Sequence, residues 1–106
     1  MPPSGPASPE TRIELVLYVT ADSIPCHRAK VAMRDILRDY DATDIDYRIY
    51  QLDRHLGAAA RDRIIFTPTL VKRWPDPKVW VLGDLTRRAV VIDLLEMAGV
   101  APKTSA

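Results

Sequence analysis

A single cysteine stands at the end of the run Ser23-Ile24-Pro25-Cys26, followed directly by His27 and Arg28. Pro25 suits the first turn of a helix, where no amide donor is required. Cys26 is then expected near a helix N-terminus, where the dipole and neighbouring basic groups depress a thiol's pKa. Exchange on a dithiol needs an attacking thiolate and a second sulfur that resolves the mixed disulfide. The chain has one cysteine, and Ser23 occupies the position three residues earlier where the attacking thiol would stand. A serine hydroxyl ionises far above ambient pH, so dithiol chemistry is excluded, as are an internal disulfide and an all-cysteine zinc site. Two readings of Cys26 remain. It is a one-thiol group acting on a small thiol such as glutathione, or a small apolar residue on the inner face of a helix.

The other groups able to do chemistry do not converge. His27 and His55 fall on different elements without a partner at metal-ligand spacing, so no metal site is expected. Leu82-Gly83-Asp84-Leu85 holds one glycine and reads as a turn before a helix rather than a phosphate cradle. Lys72-Arg73 and Arg87-Arg88 are short basic pairs with acidic residues nearby, the pattern of paired surface charges. Trp74 and Trp80 flank a Pro-Asp-Pro turn and read either as cross-strand packing or as an exposed aromatic docking patch. No catalytic constellation and no cofactor are implied.

The chain's 106 residues make one domain, since domains commonly run to roughly 100–150 residues. Apolar residues at 47% and charged residues at 27% describe a folded protein. Fifteen basic and fourteen acidic residues leave a formal charge of +1, so no overall field favours nucleic acid or a membrane surface. No apolar run approaches the roughly 18–20 residues that span a bilayer. The start, MPPSGPASPE, lacks a basic segment followed by an apolar one, so no secretory signal and a reducing, cytoplasmic setting are expected.

Positioning elements follow from periodicity. Met1–Glu10 carries four prolines, two serines and a glycine, and residues 101–106 are similar, so both are expected to be loose tails around a folded domain at 11–100. Ile13–Val19 is a β-prone run that predicts a strand covered on both faces. Asp22 and Ser23 offer N-cap oxygens to a helix in which Cys26, Ala29, Met33, Ile36, Leu37 and Tyr40 recur at helical spacing. Ile45, Tyr47 and Ile49 alternate with Asp46 and Arg48, predicting a strand over Ile45–Leu52 parallel to the first. Asp53 is a candidate cap for a short helix through Ala58-Ala59-Ala60, which Gly57 weakens by about 1 kcal/mol. Leu70–Trp74 and Val79–Leu82 predict an antiparallel pair. Thr86 is a candidate cap for a last helix from Arg87 to Met97, with Gly99 ending it.

The order β-α-β-α-β-β-α, as a mixed sheet with helices on both faces, resembles a thioredoxin-like domain. In that fold Ser23-Ile24-Pro25-Cys26 lies where oxidoreductases carry Cys-x-Pro-Cys, and Thr67-Pro68-Thr69 resembles the facing cis-proline segment, with Pro68 the cis-proline candidate. A more specific series also stands out: Leu17-Tyr18-Val19, Arg28-Ala29, Thr67-Pro68-Thr69-Leu70, Pro75-x-Pro77, and Gly83-Asp84-Leu85 with Arg87 or Arg88 beyond it. In this order and spacing, from about Glu14 to Leu95, the chain resembles the KaiB family of circadian clock proteins. Cyanobacterial members carry an acidic residue and an Asn-Pro near Gln51 and His55-Leu56, and two arginines where this chain has Val79-Trp80. The resemblance is therefore to a divergent, non-cyanobacterial type.

The resemblance implies a non-enzymatic protein that docks on a KaiC-like ATPase ring, in a clock or in related signalling or stress adaptation. It also implies self-association as a homodimer or homotetramer, and a second, ground-state fold of order β-α-β-β-α-α-β. A sensor-like relation to a histidine kinase is a weaker implication. Arg28, Arg63, Lys72 and Arg73 are the basic candidates for ring contact, and Gly83 and Asp84 the candidates for control of the switch. Independently, Val90-Val91-Ile92 places three β-branched residues in a helix, and Asp53–Phe66 mixes alanines with Gly57 and β-prone Ile64-Ile65-Phe66. Such conflicts narrow the gap between alternative packings.

Overall fold

The computed structural model describes residues 10–21 and 23–103. Their elements are β1 (Ile13–Val19), α1 (Ile24–Leu37), β2 (Ile45–Gln51), α2 (Leu56–Arg61), β3 (Thr69–Trp74), β4 (Val79–Leu82) and α3 (Arg88–Met97), in the expected order. The sheet runs β2-β1-β3-β4, with β1 parallel to β2 and antiparallel to β3, and β4 antiparallel to β3.

The continuous apolar run of β1 follows from its central place. Ile13, Leu15, Leu17 and Val19 face a core shared with Cys26, Ala29, Met33 and Ile36 of α1 and with Val91, Leu94 and Leu95 of α3. Val16 and Tyr18 point the other way, onto Ala59 of α2 and Val71 of β3. Alternation along a strand thus feeds two cores, one per face. In α3 the β-branched run is tolerated because Val91 is fully buried, while Val90 stays exposed. Tertiary packing outweighs intrinsic propensity there.

Helix ends account for several boundaries. Ser23 caps α1, its Oγ accepting the Cys26 N–H at 3.3 Å; Asp22 lies outside the described residues. Gly99, at φ +79°, ends α3 in the left-handed conformation, and the Val100 N–H returns to the Leu95 carbonyl at 2.9 Å. Two expected caps are corrected. Arg87, not Thr86, precedes α3, and no side chain caps that helix. Asp84 turns the chain instead, its Oδ1 accepting the Thr86 N–H at 3.3 Å. Asp53 lies in a 3₁₀ turn over Leu52–Arg54, and His55 takes the cap position of α2, stacked on Tyr50 with ring centroids 3.9 Å apart. Ordered structure also runs past 100: Pro102 bridges Tyr40, and the Lys103 N–H donates to the Asp39 carbonyl at 2.7 Å. The expected loose stretch at Met1–Glu10 lies outside the described residues apart from Glu10.

On the α2 face a charged cluster joins the two halves of the chain. Asp62, 3% exposed, directly follows α2. Its carboxylate accepts from Tyr18 Oη at 2.6 Å, Arg73 Nε at 2.9 Å and Lys78 Nζ at 2.6 Å, and its carbonyl accepts from Trp80 Nε1 at 2.7 Å. Arg73 also reaches Glu14 Oε1 at 3.4 Å. Burial opposes ionisation of Asp62, but its bonds to Lys78, Tyr18 and Arg73 outweigh that and hold its pKa below the usual value. Burial and the Asp62 bond push Tyr18 up to about 12. Asp62 therefore adds stability above the ordinary carboxylate range, lost as pH falls through its depressed pKa; Tyr18 adds stability below pH 10, lost as pH rises towards 12. Asp62→Asn is expected to cost about 2–3 kcal/mol at neutral pH, because two cations lose their carboxylate. Urea unfolding from pH 3 to pH 7 checks this: the variant loses the wild type's acid-side slope, and an unchanged slope contradicts the assignment.

Candidate functional site

The sheet end formed by the C-terminus of β1 and the start of β3 gathers most of the singled-out residues. Cys26 lies in the first turn of α1, 1% exposed. Its Sγ accepts the Thr20 N–H at 3.4 Å and lies 3.7 Å from Thr20 Oγ1. Thr20 Oγ1 is 3.3 Å from Thr67 Oγ1, and the Thr67-Pro68 peptide bond is cis, as the cis-proline segment predicted. Burial raises the thiol's pKa, but hydrogen bonds from Thr20, Ser23 and Thr67 outweigh it and leave the pKa below its ordinary value. The geometry thus supports a thiolate electronically and withholds it sterically, since a nucleophile must be reached to react.

Around this covered sulfur the surface is apolar. Ile24 is 69% exposed, Ile65 93%, Phe66 52% and Leu82 61%. Ile24 opens α1, Leu82 ends β4 opposite Thr69, and Ile65 and Phe66 lead into Thr67-Pro68. Large apolar side chains left in water on one side of a small domain mark a surface that meets a partner. Gly83 and Asp84 border it. Gly83, at φ +104°, donates its N–H to the Pro68 carbonyl at 3.0 Å, a backbone angle that other residues rarely adopt. Leu85 follows at φ +65° and is buried, so this turn holds a left-handed leucine through its packing.

The four basic candidates part ways. Arg28 is exposed and lies 3.8 Å from Asp84, linking α1 to the turn before α3. Arg63 is exposed on the segment that carries Ile65 and Phe66. Lys72 and Arg73 are corrections to the expectation of solvent-facing charge. Lys72 is 3% exposed on the central strand β3, and Arg73 is spent on Asp62, Tyr18 and Glu14. Adjacent positions on a central strand face opposite sides of the sheet, so Lys72 is buried while Arg73 is half-buried in its ion-pair cluster. Trp80 is 41% exposed, as one of its two expected readings had it, while its indole N–H donates to the Asp62 carbonyl at 2.7 Å. The sequence reading missed the apolar surface: Ile64-Ile65-Phe66 scored as β-prone, yet its place between a short helix and a Thr-Pro step signalled a loop.

Comparison with known proteins settles the family. The KaiB domain profile matches residues 16–97. The chain belongs to the KaiB family. It is 31% identical over 90 residues to the circadian clock oscillator protein KaiB of Prochlorococcus marinus, covering 85% of this chain and 76% of that protein. It is 30% identical to the circadian clock protein KaiB3 of Synechocystis, covering 76% and 79%. Among solved structures, chloroplastic thioredoxin z matches with a TM-score of 0.70 at 20% identity, over 88% of this chain and 82% of that one. The N-terminal domain of Synechococcus elongatus SasA matches with a TM-score of 0.62 at 21% identity, over 87% and 88%. These likenesses establish the thioredoxin-like fold. No helix among the described residues is long and apolar enough to cross a membrane.

Covering of the thiol has a measurable consequence. Cys26 in the folded protein is expected to react with iodoacetamide at least about 100-fold more slowly than in 6 M guanidinium, as a buried thiol should. Mass spectrometry of timed samples reads this directly, and equal rates contradict the geometry.

Proposed function

We propose that this chain is a non-catalytic adaptor that docks on a KaiC-type ATPase ring through the apolar sheet end, in a circadian clock or a related signalling system. The observation that carries the reading is that Ile24, Ile65, Phe66 and Leu82 are exposed while the sulfur of Cys26 at the same sheet end is buried against Thr20. An oxidoreductase needs its sulfur at such a surface; an adaptor needs only the surface. Arg28 and Arg63 flank the patch and supply charge for orienting the ring. The KaiB relatives support a clock partner of the KaiC type, and the SasA domain supports the shared fold.

The reading extends to two states. Residues after β2 refold between this form and a self-associated ground state, dimeric or tetrameric, with Gly83 and Asp84 controlling the exchange. Val90-Val91-Ile92 and Ile64-Ile65-Phe66, β-prone segments held in a helix and a loop, support it. One observation favours a second reading, a one-thiol redox protein: the depressed pKa of Cys26. Glutathione-dependent turnover lost in Cys26→Ser would select it.

Size-exclusion chromatography of the chain with a KaiC homologue and ATP, sampled over hours, is the test. A co-eluting complex is expected, weakened about tenfold or more by Phe66→Ala, and Gly83→Ala is expected to change the oligomer profile of the free chain. No complex at micromolar concentration after a day contradicts the adaptor reading, and identical profiles contradict the role of Gly83.

A further inference from the structure

The aromatic side chain of the edge strand β4 belongs to neither core. Val79 and Val81 pack on the core shared by α1 and α3, so alternation turns Trp80 and Leu82 to the α2 side of the sheet. Their register partners on β3, Val71 and Thr69, are buried, whereas Trp80 and Leu82 stay 41% and 61% exposed. Among the described residues no strand lies beyond β4. Leu82 is already part of the apolar surface at the sheet end. Trp80, two residues and about 6–7 Å back along the strand, continues that surface down β4.

The indole is held in place before any partner arrives. Its N–H donates to the Asp62 carbonyl at 2.7 Å, and the Lys78 ammonium lies 5.8 Å from its ring centroid. A side chain fixed in advance loses little rotamer freedom on binding. An indole N–H covered by an interface needs an acceptor, and this one has its acceptor within the chain. A partner can therefore cover the ring without leaving a donor unpaired. The charges bonded around it are spent on one another: Lys78 and Arg73 on Asp62, and Arg73 also on Glu14. An acidic group brought here by a partner would have to draw Lys78 or Arg73 away from Asp62, stripping a buried carboxylate of its donors.

We propose that Trp80 sets the specificity of the docking surface: the partner ring lays an uncharged, apolar side chain against Trp80 and Leu82, and a ring with an acidic group at that point is rejected. The inference rests on the adaptor reading and narrows it to one class of partner face.

The test is the affinity of the full chain for an ATP-loaded KaiC homologue, measured by fluorescence titration from about 0.05 M to about 0.5 M salt. Trp80→Ala is expected to weaken binding about tenfold or more, by the same factor across that range, because apolar contact is not screened. Arg28→Glu serves as the contrast, a charge change whose deficit shrinks as salt rises. Leu82→Ser alters a residue that is already exposed and is expected to weaken binding with circular dichroism unchanged. It carries the test if Trp80→Ala does not fold. Trp80→Arg, which offers a cation in place of the ring, should weaken binding at every salt concentration. Wild-type affinity in either folded variant, a Trp80→Ala deficit that fades with salt, or tighter binding by Trp80→Arg overturns the proposal and leaves the adaptor reading standing. No complex with the wild-type chain overturns both.

Discussion

Burying a carboxylate is unfavourable unless donors replace the water it gives up. Asp62 meets that condition with donors from three places: Tyr18 on β1, Arg73 on β3 and Lys78 in the turn before β4. The indole of Trp80 on β4 holds the same residue by its carbonyl. The C-terminal end of α2 is thereby tied to three strands at once. This matters because α2 has six residues, includes Gly57 and could not persist alone. The segment leaving Asp62 starts from a fixed point, and that segment carries Arg63, Ile65 and Phe66 to the sheet end.

On the opposite face the fold has turned a reactive position into packing. Cys26 sits where a redox domain would keep a working sulfur, but its neighbours close over it. Thr20 and Thr67 converge on it, and Ala29 and Met33 continue the same helix face into the core. The stabilised thiolate and the denied access arise from the same contacts. A helix N-terminus and nearby hydroxyls favour the anion wherever they occur, so a depressed pKa alone does not make an active site.

Local signals carried most of the architecture into the sequence. Period-two alternation in Ile45–Ile49, the helical spacing of Cys26, Ala29, Met33 and Ile36, and Gly99 after Met97 each correspond to an observed element. Cap positions were less legible: Thr86 and Asp53 are good cap residues, but Thr86 is held in the Asp84 turn, Asp53 lies within the Leu52–Arg54 turn, and Arg87 and His55 take the cap positions without a side-chain bond. Charges on β3 were misread for a different reason. Lys72 and Arg73 look like a solvated pair in one dimension, and only the strand order, with β3 inside the sheet, reveals that Lys72 is buried and Arg73 is engaged by Asp62 and Glu14. The Asp62 cluster was invisible for the same reason, since its bonded members lie up to 59 residues apart along the chain. Long-range electrostatics leave no periodic trace.

Conflicting local preferences are confined to the part of the chain after β2, the part that holds both the apolar surface and the left-handed turn at Gly83 and Leu85. Hydrogen–deuterium exchange of the chain, alone and bound to an ATP-loaded KaiC-type ring, tests the adaptor account most directly. The account predicts slowed exchange in peptides covering 24–28, 63–68 and 82–84. Protection confined to other faces of a complex that does form would contradict it.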